Sequence, residues 1–272
     1  LENLCLSGGC AFNSKLNGLL KEKTKFKNIY IHPNAGDAGG SIGASMYINF
    51  HKNNKKNNVN INNSYLGPKY SNEYIKQTLD NRKDIKNYKI EYLNDEDIYK
   101  LTAGKISENL VIGWFKGRME WGPRALGNRS ILANPMNKNI KDILNIKIKL
   151  REKFRPFAPA ILFEQKEKYF EINYHSPFML NVVKAKEISK IKIPAVVHVD
   201  NTCRVQTVKQ NENKHFYNLI NEFYKITNVP VLVNTSFNEN EPIVSKPDEA
   251  LDCFLRTKMD TLVMGNYIIK RL

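Results

Sequence analysis

Hydrophobic and polar positions along the chain alternate between short apolar runs and longer segments with helical spacing. The segment 214–226 predicts a helix with one buried face, because its apolar residues recur at intervals of three and four. These residues are Phe216, Leu219, Ile220, Phe223 and Ile226. The run 111–115 is apolar throughout, which is typical of a buried strand. This mixture of periods predicts an α/β protein.

The same pattern places the other elements. Helices are predicted at 14–21, 39–50, 98–109, 139–150, 214–226 and 247–257. Strands are predicted at 4–6, 28–32, 111–115, 160–163, 181–184, 195–199, 204–208 and 229–234. Ser245 is predicted to cap the last helix, which carries proline at its start and acids in its first turn.

One stretch interrupts this order. The segment 51–64 is rich in Asn and Lys and contains too few apolar residues to join a core, so it is interpreted as an insert or linker. The sequence therefore divides into residues 1–50, a linker and connector at 51–92, and a larger domain at 93–272. A chain of 272 residues has room for one large or two small cores.

Charge and cysteine content narrow the classes of function. The chain has 42 Lys and Arg against 27 Asp and Glu, a formal net charge of +15, which favours an anionic partner such as nucleic acid, a membrane surface or a phosphorylated small molecule. Four cysteines without CxxC pairs indicate a reduced, cytoplasmic protein without a disulfide framework.

The sequence has no signal peptide and no apolar run long enough to span a membrane. Because it opens on a strand without an initiator methionine, we expect it to be the trailing part of a longer protein.

Two basic motifs suggest a phosphate site. The first, at 118–130, spaces Arg118, Arg124 and Arg129 through a loop that contains glycine and proline. The second basic motif lies at 149–157, separated from the first by about the length of one helix. Guanidinium groups donate in a planar fork that matches phosphate and carboxylate oxygens, so the two motifs together favour a phosphate pocket over a solvated basic loop.

Two glycine-rich turns follow short predicted strands near the start of the chain. They lie at 7–13 and 34–40. Such turns lead into helix N-termini and expose backbone N–H groups that can hold phosphates. Each turn alone is weak evidence, but the pair predicts a nucleotide site.

Four motifs carry a resemblance to a known family. These are RMEWGPRALGNRS at 118–130, FRPFAP at 154–159, HVDNTCRVQTV at 198–208 and VNTSFN at 233–238. They resemble, in order, the C-terminal domain of the O-carbamoyltransferases, the family of the nodulation-factor, cephamycin and tobramycin carbamoyltransferases. Residues 7–13 and 36–40 are similar to the end of the family's catalytic domain. Nearly the whole chain is covered.

The resemblance implies a fold and a two-step reaction. It implies a YrdC-like open α/β domain preceded by the end of an actin-like ATPase (Kae1-like) domain. The YrdC-like domain would make carbamoyl adenylate from carbamoyl phosphate and ATP with Mg²⁺. The actin-like domain, with a bound divalent metal of the iron type in its complete form, would transfer the carbamoyl group to a hydroxyl of a small-molecule acceptor. Both steps suit arginine-rich motifs, because fixed guanidinium groups stabilise charge that builds on phosphoryl oxygens.

The resemblance also assigns residues. The candidates for binding the phosphates of carbamoyl phosphate and ATP are Arg118, Arg124, Lys149, Arg155 and Arg204. We expect Arg155 and Arg204 to be catalytic, because each sits inside an apolar motif where an unpaired charge is costly. Asn234, Ser236 and Asn238 match the Ser/Asn signature of the YrdC fold and could hold a carbamoyl amide or a phosphate oxygen. Lys149, Arg151 and Lys153 are as readily explained as partners of a helix dipole.

In the upstream segment, Gly8, Gly9 and Asn13 match the family's nucleotide-binding turn. Asp37 matches an aspartate that ligates the metal together with two histidines, and those histidines are not in this sequence. We therefore expect no tightly bound metal at Asp37. The segment 238–242 departs from the family pattern, since it has no basic residue where relatives often carry Arg-Gly.

Two other interpretations stay open on sequence grounds. The basic charge also fits an RNA-binding or tRNA-modifying protein related to threonylcarbamoyl-adenosine synthesis, although no RNA-recognition motif with paired aromatics is evident. The second interpretation is a non-catalytic remnant that binds nucleotide or carbamoyl phosphate without turnover. The identity of the acceptor is not encoded in these motifs.

Overall fold

The computed structural model describes residues 1–53, 61 and 63–271. Part of the predicted linker, residues 54–60 and 62, lies outside this range. Within it, no helix is long and apolar enough to cross a membrane.

A mixed sheet of eight strands dominates the described chain. Its strands are β3 (Tyr88–Tyr92), β4 (Ile112–Phe115), β5 (Arg129–Ala133), β6 (Ala158–Leu162), β9 (Gln206–Val208), β10 (Val231–Ser236), β11 (Thr261–Met264) and β12 (Tyr267–Arg271). They lie in the order β3-β12-β11-β4-β5-β10-β6-β9. The pairs β11–β4 and β6–β9 are parallel, and the other neighbours are antiparallel. The predicted α/β class is confirmed.

Two small sheets complete the strands. The first is parallel and joins β1 (Asn3–Leu6) to β2 (Asn28–Ile31). The second is antiparallel and joins β7 (Val182–Lys184) to β8 (Thr202–Arg204). The sheet β1–β2 belongs to the upstream segment, and β7–β8 lies next to it because α1 (Ser14–Lys23) packs against β7.

Eight further helices follow α1 among the described residues. They are α2 (Gly40–Asn53), α3 (Asn72–Asp80), α4 (Asp95–Ser107), α5 (Ile140–Ile143), α6 (Lys166–Tyr169), α7 (Glu187–Lys192), α8 (Lys214–Thr227) and α9 (Pro247–Arg256). The helices α4 and α8 pack together and against β4, β6 and β10, and α9 packs on β4 and β11. All residues of β4, β5, β6 and β11 are buried, so both faces of the sheet are covered.

The sheet starts earlier than the predicted domain boundary at residue 93. The strand β3 pairs with β12 along its whole length, and α3 packs against α9. The segment predicted as a connector therefore contributes a strand and a helix to the larger domain. The sequence did not reveal this strand, because every residue of β3 is half-buried or exposed and the strand carries no buried apolar face.

Several local predictions need correction. The predicted strand 195–199 is instead a 3₁₀ turn at Pro194–Val196, where proline removes a ladder donor. The predicted helix 139–150 is α-helical only to Ile143 and continues as a π-helix at Leu144–Ile148. The residue that caps α9 is Lys246, not Ser245, and both backbone N–H groups donate to Glu249 Oε2.

The upstream segment packs on the larger domain. Ala11, Ile31 and Ala35 form a small apolar cluster with Leu180. Buried Asn17 reinforces this contact, since its Nδ2 donates to the carbonyl oxygens of Ala11 and Leu180 at 2.8 and 2.9 Å. An amide buried with both hydrogens donated fixes the relative position of the two segments.

Candidate anion-binding site

A basic cavity lies where the loops before β5 and β6 meet the end of β10. Its outer compartment has a volume of about 600 Å³ and is lined by Lys149, Leu150, Arg151, Glu152, Arg155, Ser236, Asn238, Glu239 and Asn240. Its inner compartment has about 100 Å³ and is lined by Pro123, Arg124, Ala125, Arg151, Pro156, Phe157, Ala158, Met179, Arg204, Asn234, Thr235 and Ser236. The compartments adjoin, since both include Arg151 and Ser236.

Two arginines of the inner compartment have no acidic partner. Arg124 and Arg204 are half-buried and form no ion pair among the described residues, and the buried Nε of Arg124 has no hydrogen-bond partner there. Burial, together with repulsion from Arg124 and Arg151, lowers the pKa of Arg204 to about 10. Both guanidinium groups stay charged at neutral pH. Uncompensated cations that repel each other in a half-buried cavity are stabilised when an anion binds between them.

Arg151 belongs to both compartments. Its Nε donates to Asn145 Oδ1 at 2.7 Å, and its guanidinium lies 4.9 Å from the centre of the Phe157 ring. Burial is the main cause that lowers the pKa of Arg151, followed by repulsion from Arg155. Sequence analysis weighed Arg151 evenly between a phosphate ligand and a partner of the helix dipole. No sequence signal decides between them, because the chain turns at Leu150, whose backbone φ is 44° in the structure.

Lys149 is buried at the base of the outer compartment. Its ammonium donates to the carbonyl oxygens of Ser236 and Asn238 at 2.6 and 2.7 Å and to Asn238 Oδ1 at 2.6 Å. Burial lowers its pKa to about 7, with a further contribution from Arg151. Lys149 therefore holds the end of β10 in place and adds a charge that titrates near neutrality.

The polar residues at the end of β10 form hydrogen bonds with one another and with neighbouring residues. Ser236 Oγ donates to Asn238 Oδ1 at 2.7 Å, and Asn238 Nδ2 donates to the Glu241 carbonyl at 2.6 Å. Asn234 is buried, and its Nδ2 donates to Gln206 Oε1 at 2.8 Å. The structure thus brings Asn234, Ser236 and Asn238 to the cavity, and their role in binding substrate stays a prediction.

Arg155 lies at the rim, where it is more exposed than expected. Its side chain is 51 % exposed, and its Nε contacts Glu152 at 2.8 Å. The environment of Arg155 is therefore solvent and a carboxylate, not the apolar motif that the sequence suggested. A ligand in the outer compartment can reach Arg155, but it competes with Glu152.

The arginines of the first basic motif separate in space. Arg118 is exposed, its Nη2 donates to the Leu66 carbonyl at 2.9 Å, and it lines neither compartment. Arg129 is fully buried and donates to the carbonyl oxygens of Gly117 and Asn128 at 3.1 and 2.9 Å. Only Arg124 of this motif reaches the cavity, so the basic surface predicted to include Arg118 forms without it.

Buried Glu120 shapes the loop that carries Arg124. Its Oε1 accepts the backbone N–H groups of Leu126 and Asn128 at 2.6 and 2.8 Å. Gly127 completes the turn with a φ of 105°, and a Cβ there would lie 2.1 Å from the Phe216 ring. A carboxylate inside the loop and a glycine that admits the ring therefore fix where Arg124 points.

The upstream candidates lie apart from the basic cavity. Gly8, Gly9, Asn13 and Asp37 are exposed and line neither compartment. The two glycine turns do meet, since β1 and β2 are parallel and Gly8 N–H donates to the Ala35 carbonyl at 2.7 Å. Asn13 Oδ1 accepts the Leu16 N–H at 3.1 Å and so caps α1.

The residues around Asp37 do not fit a metal by themselves. Among residues 1–53, 61 and 63–271, no three His, Cys, Asp or Glu side chains lie close enough together to hold one ion. The neighbouring His32 packs its ring on Trp121 and its Nδ1 accepts the Asn34 N–H at 3.1 Å, while its buried Nε2 has no partner among the described residues. Asp37 therefore brings a metal one exposed carboxylate without a cluster of further ligands in the described part of the chain.

Comparison with families of known proteins matches most of the chain. Residues 103–271 match the family described as Carbamoyltransferase C-terminus, and residues 1–46 match Carbamoyltransferase N-terminus. An uncharacterized protein of Synechocystis is 43 % identical over 297 residues, covering 100 % of this chain and 48 % of the relative. The nodulation protein NolO of Bradyrhizobium diazoefficiens is 38 % identical over 275 residues, covering 100 % and 50 %. The chain spans about half the length of the curated relatives it matches.

Two solved structures are similar to parts of the chain. Sua5 of P. abyssi in complex with L-threonine is 15 % identical with a TM-score of 0.45, covering 65 % of this chain and 48 % of that one. Full-length HypF in a phosphate- and nucleotide-bound form is 18 % identical with a TM-score of 0.41, covering 68 % and 22 %.

Proposed function

Because the chain belongs to the carbamoyltransferase family, we propose that its basic cavity binds carbamoyl phosphate and ATP and forms carbamoyl adenylate. The observation that carries the proposal is the pair Arg124 and Arg204, which face one cavity without a carboxylate to neutralise them. A phosphate or carbamate anion supplies the missing charge.

The first step releases carbamate. Water attacks the phosphorus of carbamoyl phosphate, and the mixed-anhydride bond between phosphorus and the carbamoyl oxygen breaks, which yields inorganic phosphate, carbamate and a proton. Carbamate is small enough for the inner compartment, where Arg124 and Arg204 would hold its oxygens. The larger outer compartment has the volume that a nucleoside triphosphate needs.

The second step joins carbamate to the nucleotide. A carbamate oxygen attacks the α-phosphorus of ATP, the bond between the α-phosphorus and the bridging oxygen breaks, and pyrophosphate leaves. Arg151 lines both compartments, which supports a contact with the α-phosphate between them. Its guanidinium is held by Asn145 before any ligand arrives, which is the preorganisation that stabilises developing charge.

Mg²⁺ would accompany the triphosphate, and the metal of a complete actin-like domain would serve the transfer step. Both remain predictions from the family resemblance. Transfer of the carbamoyl group to an acceptor hydroxyl is a prediction of the same kind, and we assign no residue of the basic cavity to it.

The test is exchange of labelled pyrophosphate into ATP. We expect exchange only when carbamoyl phosphate is present, because the adenylate must form and reverse. The Arg204→Met variant should lose most of the exchange and Arg118→Met, its matched control outside the cavity, should retain it. Exchange in the absence of carbamoyl phosphate would contradict adenylate formation. Absence of exchange under every condition would also contradict it and would favour a protein that binds these ligands without turnover.

A further inference from the structure

The loop that follows β10 is neutralised by a cation from another element. This loop contains Glu239 and Glu241, and the segment 237–245 has no Lys or Arg of its own. Arg256, the last residue of α9, contacts both acids. Its Nε lies 3.4 Å from Glu239 Oε2, and its Nη2 lies 2.7 Å from Glu241 Oε1. One guanidinium group therefore neutralises two carboxylates beside the basic cavity.

Glu239 connects this ion pair to the cavity. It lines the outer compartment, whereas Arg256 lines neither compartment. The Glu239 side chain is 18 % exposed, so water would screen an unpaired charge there poorly. Glu152 is the other acid that lines the outer compartment, and its partner Arg155 is itself part of the lining. Glu239 thus depends for its neutralisation on a residue from outside the cavity.

The backbone of the same loop is held by contacts that do not involve Arg256. Asn238 Nδ2 donates to the Glu241 carbonyl at 2.6 Å, and Asn238 Oδ1 accepts from the Lys149 ammonium at 2.6 Å. Exposed ion pairs contribute little to folding stability, and 48 % of the Arg256 side chain is exposed. Loss of Arg256 should therefore leave the loop in place and change the charge of the outer compartment.

We propose that Arg256 is a positioning residue for nucleotide binding, which holds and neutralises Glu239 so that the outer compartment accepts a polyanionic triphosphate. The inference rests on the proposed function, which places ATP in that compartment. A carboxylate released at the wall would repel each negative charge of the ligand, so the effect should grow with the charge of the ligand. Arg256 should therefore matter more for ATP than for carbamoyl phosphate, which carries fewer negative charges.

The experiment measures ATP affinity by calorimetry in EDTA at two ionic strengths, about 0.01 M and about 0.15 M. We expect Arg256→Met to weaken ATP binding about tenfold at the lower ionic strength and carbamoyl phosphate binding by less than about threefold. The loss for ATP should shrink at the higher ionic strength, because the screening length falls from about 30 Å to about 8 Å.

Arg82→Met is the matched control. Arg82 also contacts two carboxylates, those of Asp84 and Asp252, at 2.6 and 2.7 Å. None of these three residues lines either compartment. Arg82→Met should therefore bind ATP like the unmodified chain at both ionic strengths.

Two further variants separate charge from structure. Glu239→Gln in the Arg256→Met background removes the released carboxylate and should restore ATP affinity to within about twofold. Glu239→Gln alone should tighten ATP binding about two- to fivefold, because Arg256 is then opposed by one carboxylate instead of two. This second variant tests the proposal even if Arg256→Met fails the thermal unfolding check.

Three results would overturn the role of Arg256 and leave the proposed function standing. The first is unchanged ATP affinity in Arg256→Met at the lower ionic strength, or an equal loss for carbamoyl phosphate. The second is a loss that Glu239→Gln does not restore, and the third is no tightening of ATP binding in Glu239→Gln alone. Absence of ATP binding by the unmodified chain would contradict the proposed function and the inference with it.

Discussion

At the scale of single residues, the site depends on side chains that lack a partner and on others that have several. Arg124 and Arg204 have no acidic partner among the described residues, whereas Asn145 and Lys149 each form several hydrogen bonds. Sequence analysis singled out Arg124, Arg204 and Lys149 as basic residues. It could not separate the two kinds, because the difference lies in which acceptors the fold brings near each side chain.

Lys149 makes anion binding depend on pH. Its pKa in the folded chain is lowered to about 7, so its positive charge is present below that pH and is lost as the pH rises through it. Removing one nearby charge should weaken sulfate binding by about 1 kcal/mol, or roughly fivefold, between pH 6 and 8.5. Sulfate is the suitable probe because its own charge does not change in this range.

The control is Lys149→Met, in which sulfate affinity should no longer change with pH. Thermal unfolding without ligand will verify that this variant folds. A pH profile that is the same in Lys149→Met and in the unmodified chain would show that another group titrates.

Glu120 should contribute to stability through the loop that carries Arg124. In Glu120→Ala the buried N–H groups of Leu126 and Asn128 lose their acceptor, which should lower the free energy of unfolding by about 2–4 kcal/mol. Burial raises the pKa of Glu120. Glu120→Gln retains an oxygen acceptor and should lose less. Urea denaturation measures both variants, and equal losses would show that the backbone bonds are not what Glu120 supplies.

At the scale of elements, the π-helix Leu144–Ile148 is the feature that builds the cavity. It widens the helix before Lys149, and π-segments of this kind are frequent at functional sites. Asn145, buried inside it, donates to the carbonyl oxygens of Lys153 and Arg155 at 3.1 and 3.0 Å and accepts from Arg151. One side chain thus sets both the loop and the direction of Arg151.

Replacing Asn145 should therefore act on ligand binding through Arg151. We expect Asn145→Leu to weaken sulfate binding about tenfold, a loss of ~1.4 kcal/mol, because Arg151 loses its orienting acceptor. The neighbouring Lys147→Ala, on the exposed side of the same segment, should have little effect. In an Arg151→Ala background the Asn145→Leu substitution should cost no further affinity, and an equal additional loss there would refute the coupling.

Helices and strands with a strong periodicity of apolar residues could be predicted from the sequence. Elements whose structure depends on packing against other parts of the chain could not. The helix 214–226 is found at Lys214–Thr227, because its apolar face alone determines it. The strand β5 was hidden inside an arginine-rich motif, where Arg129 looks like a surface residue but is buried over the Phe115 ring at 3.7 Å. The π-helix left no signal, since its sequence continues the helical pattern of α5.

At the scale of the whole molecule, the structure keeps two candidate sites apart. The basic cavity belongs to the large sheet, and the glycine turns belong to the β1–β2 unit. Each set of motifs lies in a continuous stretch of the sequence, and the division into domains predicted from them stays a prediction. The sequence could not predict that Arg118 and Arg124 separate, since the five loop residues between them leave the direction of each side chain undetermined.

The upstream unit should not retain a metal in this chain. Asp37 is exposed, and no cluster of three ligating side chains accompanies it among the described residues. After dialysis, elemental analysis should find less than about one tenth of an equivalent of any divalent transition metal, because one carboxylate binds such ions weakly. A stoichiometric metal that Asp37→Ala abolishes would contradict this expectation.

The central claim is that the cavity formed by Arg124, Arg151 and Arg204 is the site that binds carbamoyl phosphate. Calorimetric titration of carbamoyl phosphate into the unmodified chain, Arg204→Met and Arg118→Met tests it most directly, because the two variants each remove one arginine and differ in whether that arginine lines the cavity. We predict that Arg204→Met loses about 1.5–3 kcal/mol of binding free energy and that Arg118→Met binds like the unmodified chain. Unchanged affinity in Arg204→Met, or a comparable loss in Arg118→Met, would contradict the account.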